Sequence, residues 1–346
     1  MSSSGERSPA VVAGAPDGGS VASTREGQAQ RVPDFFIAGH PKCGTTALYL
    51  MLKGHPQVFL PDVKEPRYFA ADQRSAHGRH PPRARPRTLE SYLALFAEAR
   101  PDQIVGEASP NYLMSRVAAA AIAEVQPQAR VIVILREPAA FLRSFHLQMV
   151  SSKVETETDF GEALALEEQR REGRRIPRGC HHPEALLYSD HVRYAEQIER
   201  FRAVLPPENV LVLIYEEFRA DNQATARRVL EFLALDASVP LEAVETKPLK
   251  AVRSRRLHDL VWLARRARKN PAAAGWRGRL LAALVPGPMR SESSQAMWRR
   301  ALYRTPPPPD ERLMLELRRR FEPEVRALGE LIGRDLHTLW GYDRLG

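Results

Sequence analysis

The stretch FFIAGHPKCGTT, residues 35–46, constrains the fold more than any other. An apolar run stops at Gly39, a proline–glycine loop follows, and two threonines open the helical pattern TTALYLMLK, which Gly54-His55-Pro56 ends. A buried strand that feeds a helix through a glycine loop builds a phosphate site, because the first helical amides point at the anion and the helix dipole favours its charge. The continuous β-branched run VIVIL (131–135) has the pattern of a strand buried on both faces, and VLVLIY (210–215) repeats it. Such runs alternate with helical spacing, which predicts βαβ units. The expected fold is three-layer α/β/α with a central parallel sheet and a mostly helical C-terminal part.

Boundaries follow from composition. Residues 1–31 are rich in Ser, Gly, Ala and Pro without periodicity and read as a disordered tail, with one folded domain over 32–346. The Arg/Pro/His-rich segment 74–87 reads as an exposed loop. Residues 89–99 return to helical spacing, and 103–105 form a short strand ending in GEASPNYL. Pro138 suits the first turn of a helix. Leu257, Leu260, Val261 and Ala264 make an apolar face beside Arg265, Arg266, Arg268 and Lys269, as a plain amphipathic helix or a membrane-surface one would. PPPP (306–309) is a rigid break. Asp310 caps the next helix, which carries Leu313, Leu317 and Phe321, and Gly333 ends the helix after that.

The 346 residues carry 51 Lys plus Arg against 42 Asp plus Glu, a net charge of +9, which suits an anionic ligand. The basic residues are scattered and no recognition module is present, so nucleic acid is not expected as a partner. Two cysteines, Cys43 and Cys180, build neither a disulfide framework nor a zinc site. His181 and His182 lie near Cys180, but adjacent histidines ligate one ion poorly and no matching carboxylate spacing exists; no metal is expected. The N-terminal segment has no secretory apolar core, and no run of 18 apolar residues occurs, so no spanning helix and a cytoplasmic location are expected.

The glycine spacing Gly39-x4-Gly44 is that of a Walker A loop, but Thr45 stands where such a loop has lysine, and the loop's one lysine is Lys42. VIVIL ends in Arg136 rather than a magnesium-holding aspartate. Both departures point away from a metal–triphosphate and towards a phosphate held by backbone amides, hydroxyls and one cation. Thr45 and Thr46 could equally be helix caps, which use the same donors. Cys43 is small and fits the loop, with no chemistry assigned to its thiol. Arg143 reads as a surface residue, and Arg136 could instead pair with Glu137.

On these residues the chain resembles the sulfotransferases that use 3′-phosphoadenylyl sulfate (PAPS). PKCGTT, holding Lys42, Cys43, Gly44, Thr45 and Thr46, resembles their 5′-phosphosulfate loop. Arg136 and Ser144, in LREPAAFLRS, resemble their 3′-phosphate site. Lys64-Glu65-Pro66-x-Tyr68-Phe69 resembles the KEPxFF segment of the carbohydrate branch, whose glutamate acts as base. GEASPNYL and VLIYEEF also look like family segments, and the likeness runs from about residue 32 to 218. It implies a P-loop-like sulfotransferase fold, PAPS as donor, adenosine 3′,5′-bisphosphate as product and no metal. It further implies Glu65 as base and Lys42 as the group that neutralises the leaving phosphate. His40, His55 and His146 are rival bases. Lys64, Tyr68 and His146 are candidates for the acceptor side, and the 257–269 segment, with Arg253 and Arg255, for a basic cap over the nucleotide.

The glycosaminoglycan branch carries EKSP where this chain has Glu107-Ala108-Ser109-Pro110. The missing lysine turns the expectation from an acidic polysaccharide to a hydroxyl of another glycan, a glycolipid or a natural product. The Arg- and Ala-rich composition suggests a bacterial source. The alternatives are a P-loop kinase or NTPase using ATP, and a nucleotide- or polyanion-binding protein without turnover.

Overall fold

The computed structural model describes residues 21–22, 30–73, 85–178, 180, 182–244, 250–269, 275–284, 298 and 300–345. Five strands form the central sheet: β1 (Phe35–Gly39), β2 (Val58–Phe59), β3 (Ile104–Ala108), β4 (Arg130–Leu135) and β5 (Val210–Ile214). Their order is β2-β3-β1-β4-β5, with every pairing parallel. The chain steps outward from β1 on one side and then crosses to the other. Right-handed crossovers taken in opposite directions put helices on opposite faces. Helix α1 (Thr45–Lys53) accordingly packs on the helix Asn222–Phe232. A separate group holds α2 (Ala118–Val125), α3 (Pro138–Ser152), α4 (Tyr194–Arg202) and α5 (Glu311–Ile332). This is the expected parallel sheet with flanking helices.

β1 is fully buried along its length, as are Val131 to Leu135 of β4, so both strands read as unbroken apolar runs. Phe35 lies against Gly106 of β3, where an added Cβ would come within 2.1 Å of the Phe35 ring. Asp310 caps α5 as expected, accepting from the Arg312 and Leu313 amides.

Several expectations change. β3 starts one residue later than expected and continues through Gly106, Glu107 and Ala108, because hydroxyl donors satisfy the Glu107 carboxyl inside the sheet. The segment after Thr88 is a short α-helix, Leu89–Leu93, that tightens to 3₁₀ over Ala94–Phe96. The two helices expected after Asp310 are one, running through Pro323 to a left-handed Gly333. Burial of Leu317, Phe321, Val325 and Leu328 along one side outweighs the missing proline amide. Within the expected tail, Val21–Ala22 pairs antiparallel with Gln30–Arg31. The rest of 1–31, residues 74–84 and His181 lie outside the described residues.

The 255–269 segment is helical over Arg255–Lys269 and packs on Gly275–Leu284. Its buried side is His258, Val261, Ala264 and Ala267, while Leu260 and Leu263 face solvent. Leu260 therefore does not belong to the expected apolar face. Arg255 donates to the Thr156 carbonyl at 2.7 Å. Among the described residues no helix is long and apolar enough to cross a membrane.

Gly106→Ala should destabilise the fold by about 2–3 kcal/mol, because neither the Phe35 ring nor the paired strands can withdraw. In thermal unfolding followed by circular dichroism, a fall in Tm of roughly 5 °C or more is expected. An unchanged Tm would mean that the strands do not pack as described.

Candidate functional site

Ligands of open parallel sheets bind beyond the carboxyl ends of the strands, where strand order reverses. Here that edge is formed by the ends of β3, β1, β4 and β5, set side by side by the registers Ile37↔Ala108, Gly39↔Val133 and Leu135↔Ile214. β1, β4 and β5 each place a candidate group just past their last residue, and the end of β3 seats another.

β1 delivers the loop. Gly44 is the N-cap of α1, left-handed at φ 86, and no side chain caps the helix. Thr45 and Thr46 are thus the first helical residues rather than caps. Lys42 also has a positive φ, 66, so the loop turns sharply between Pro41 and Gly44. Gly44 fits against Phe218 and Tyr215, and an added Cβ would meet the Phe218 ring at 2.8 Å. Cys43 is fully buried, and burial pushes its thiol pKa up, with Arg136, Glu216 and Lys42 all close enough to act on it electrostatically. The thiol is therefore packing, as the sequence suggested, and its surroundings bring Lys42 and Arg136 to one place.

β4 delivers Arg136. Its guanidinium lies over the Tyr215 ring, 4.8 Å from the centroid, in cation–π contact. Glu137 does not neutralise it. That carboxylate caps α3, accepting from the Ala139 and Ala140 amides, and takes the Tyr342 hydroxyl at 2.8 Å. Glu216 feels the Arg136 charge and accepts from Trp340 Nε1 at 2.9 Å, and burial nonetheless raises its pKa. The Arg136 Nε and the Ser144 Oγ are both buried without a hydrogen-bond partner, and Ser144 is 1% exposed. Arg143 is not a plain surface residue: it is half-buried, feels the Arg136 charge, and donates to the Pro307 carbonyl, which ties the proline run to this end of α3. Orphaned donors beside clustered positive charge fit a phosphate, since leaving such groups unmet costs about 1–3 kcal/mol each.

The end of β3 seats the third group. The Glu65 amide donates to the Ala108 carbonyl at 3.0 Å, so the KEPRYF segment lies across the end of β3. Burial alone would raise the Glu65 pKa, but Arg67 and Lys64 reverse this and hold it below the ordinary value. Arg67 donates to Oε2, and the Lys64 Nζ is 3.5 Å from Oε1. Arg85 is close enough to interact with Arg67 and Glu65. The carboxylate is therefore ionised at neutral pH. Tyr68 stacks on Tyr92 with centroids 4.7 Å apart, at the rim of an aromatic cluster that also holds Phe69 and Tyr112.

The histidines lie elsewhere. His40 is buried with Nε2 3.0 Å from Gln197 Oε1, and burial lowers its pKa to about 4. His55 meets the Asp236 carbonyl. His146 is 2% exposed, packed between Phe160 and Tyr188, with Nε2 3.0 Å from the Glu157 carbonyl. Its ring is committed to the core rather than to the acceptor side. Among the described residues, no group of three or more His, Cys, Asp or Glu is placed to hold a metal ion.

Sequence reasoning missed Tyr215, Arg67, Arg85 and Glu107. Position was the available signal: Tyr215 follows a strand end, Arg67 stands inside KEPRYF, and Glu107 is a carboxylate in an otherwise apolar strand.

A parallel sheet whose carboxyl edge carries a glycine loop, a helix N-terminus and a strand-end arginine has the layout of a phosphate-loop protein. Residues 33–238 match the model of the sulfotransferase family, and the chain belongs to that family. It is similar to human carbohydrate sulfotransferase 15, at 30% identity over 267 residues, covering 62% of this chain and 46% of the relative. It is also similar to the human bifunctional heparan sulfate N-deacetylase/N-sulfotransferase 3, at 26% identity, covering 61% of this chain and 23% of that one. The chain thus spans less than half the length of these two curated relatives. A solved sulfotransferase from Alicyclobacillus acidocaldarius superposes with a TM-score of 0.61 at 25% identity, covering 89% of this chain and 98% of its own.

Glu107 makes a pH prediction. Burial raises its pKa from 4.5 to about 7, against hydrogen bonds from Ser109, Tyr92 and Tyr112 that lower it. Between those values the folded state binds more protons than the unfolded state, so this group's contribution to stability falls as pH rises, by up to about 1.4 kcal/mol per pH unit. His40 and His191, whose pKa values are lowered, act in the opposite sense and cancel when wild type is compared with Glu107→Gln. In urea unfolding, Glu107→Gln should gain stability relative to wild type between pH 5 and 7. A difference independent of pH would show that Glu107 does not titrate there.

Proposed function

We propose that this chain transfers a sulfuryl group from PAPS to a hydroxyl of a glycan, glycolipid or natural-product acceptor. The observation that carries the reading is the pair of orphaned buried groups, Arg136 Nε, whose charge reaches Cys43 of the loop, and Ser144 Oγ on α3. They suit a second phosphate on the nucleotide, the 3′-phosphate that distinguishes PAPS from ADP-like ligands. The donor supplies an electrophilic sulfur already joined to a good leaving phosphate. Lys42, the loop amides and the hydroxyls of Thr45 and Thr46 hold that phosphate end. Positive charge at the loop stabilises negative charge growing on the leaving oxygen.

Glu65 is the base in this reading. Its carboxylate is ionised at neutral pH, held by Arg67 and Lys64, and partly exposed at the end of β3. It takes the acceptor proton at a carboxylate oxygen as the acceptor oxygen bonds to sulfur and the bond from sulfur to the leaving phosphate oxygen breaks. Lys64 and Tyr68 border that side. The lysine and the helix N-terminus supply the positive charge, so the reading assigns no metal. A cytoplasmic setting suits the two free cysteines.

Incubation with ³⁵S-labelled PAPS and a panel of neutral hydroxyl acceptors tests the reading. Label should move to one acceptor class. Glu65→Gln and Lys42→Ala should each lower the rate by about 100-fold or more. Transfer that neither variant slows would contradict the assigned roles, and binding of the donor without transfer to any acceptor would support a binder without turnover.

A further inference from the structure

Glu65 and Arg67 both hold left-handed backbone, with φ 59 and 54, a conformation that non-glycine residues keep only when their surroundings enforce it. Three alternate amides of the segment are gripped by residues 108–112. Glu65 N donates to the Ala108 carbonyl at 3.0 Å, Arg67 N to Ser109 Oγ at 3.0 Å, and Phe69 N to the Tyr112 hydroxyl at 3.3 Å. Two of these acceptors are hydroxyls, which rotate unless something fixes their hydrogens.

The fixing group is Glu107, fully buried beneath the segment. Its Oε2 accepts the Tyr112 hydroxyl at 2.9 Å and the Tyr92 hydroxyl at 2.7 Å. With its proton committed to Glu107, the Tyr112 oxygen can only accept, and it accepts from Phe69. The Ser109 side chain also bears on the same carboxyl, stabilising its charge at least as much as either tyrosine, although Oε1 has no well-aligned partner. Resting on the reading of Glu65 as base, we propose that Glu107 is a positioning residue for it: through the Tyr112 and Ser109 hydroxyls it holds the segment in the turn that lays Arg67 on the Glu65 carboxylate.

The groups facing Glu107 are Tyr92 from its own short helix, Ser109 and Tyr112 from the turn after β3, and Glu65 from the segment above. Arg67, Lys64 and Arg85 act on Glu65. Glu107 keeps its proton until about pH 7, so at the acid pH where Glu65 titrates it is already neutral. Gln is then a close mimic, whereas Met keeps the volume and removes the acceptor.

The test is ¹³C NMR of the full chain labelled at glutamate Cδ, with the Glu65 signal assigned by its loss in Glu65→Gln and folding checked by circular dichroism. In wild type the Glu65 midpoint should lie below the ordinary value of about 4.3. In Glu107→Met and Tyr112→Phe it should rise to that value as Arg67 loses its hold, while in Glu107→Gln it should stay low. Tyr92→Phe removes an equal hydrogen bond from Glu107 that grips no segment amide, and it should also leave the midpoint low. The proposal is overturned if folded Glu107→Met and Tyr112→Phe keep the wild-type midpoint, or if Tyr92→Phe shifts it as much. Because the readout is a titration and not turnover, it stands apart from the base assignment: a fully active Glu65→Gln would remove the base role and leave the positioning result intact.

Discussion

The site depends on β1 being paired on both sides. Hydrogen bonding of Phe35–Gly39 to β3 and to β4 leaves no free edge, and packing buries every residue on both faces, so the strand must be apolar throughout. Parallel pairing then collects the carboxyl ends of four strands at one edge. The loop, Arg136, Tyr215 and the KEPRYF segment all stand there because each lies one step beyond, or is bonded to, a strand end. The chemistry follows from the topology and needs no long excursion of the chain.

Charge at this edge is handled in two ways. Some groups are fully met: Glu137 spends its oxygens on the α3 amides and Tyr342, and Glu216 is tied to Trp340. Others are left in excess. Arg136 lies over a ring rather than on a carboxylate, Arg143 adds like charge beside it, and Ser144 is buried without a partner. Burying clustered positive charge is costly without an anion. The proposed phosphate would meet this excess.

The loop and its helix were legible because their signals are local. The apolar run, the glycine and the threonines gave Phe35–Gly39 and Thr45–Lys53, and the Asp310 cap of α5 was read correctly. Long-range contacts were not legible. Nothing near Arg143 in the chain points to Pro307, and nothing near Leu260 says that His258 and Ala267 are buried in its place. The proline in α5 reads as a break until packing along Leu317 to Leu328 is seen to outweigh it. Glu107 was hidden for a related reason: a carboxylate inside a sheet makes sense only once Tyr92 and Tyr112 are known to turn their hydroxyls onto it.

The central claim is that the orphaned donors at the end of β4 and on α3 distinguish a nucleotide by its 3′-phosphate. Calorimetric titration of the full chain with adenosine 3′,5′-bisphosphate, with ADP and with ATP–Mg²⁺, on wild type and on Arg136→Ala, tests it most directly. The bisphosphate should bind about 10- to 100-fold more tightly than ADP, and the variant should lose that difference, as expected for charge-assisted hydrogen bonds to one phosphate. Equal or tighter binding of ATP–Mg²⁺, or a variant that still prefers the bisphosphate, would contradict the account.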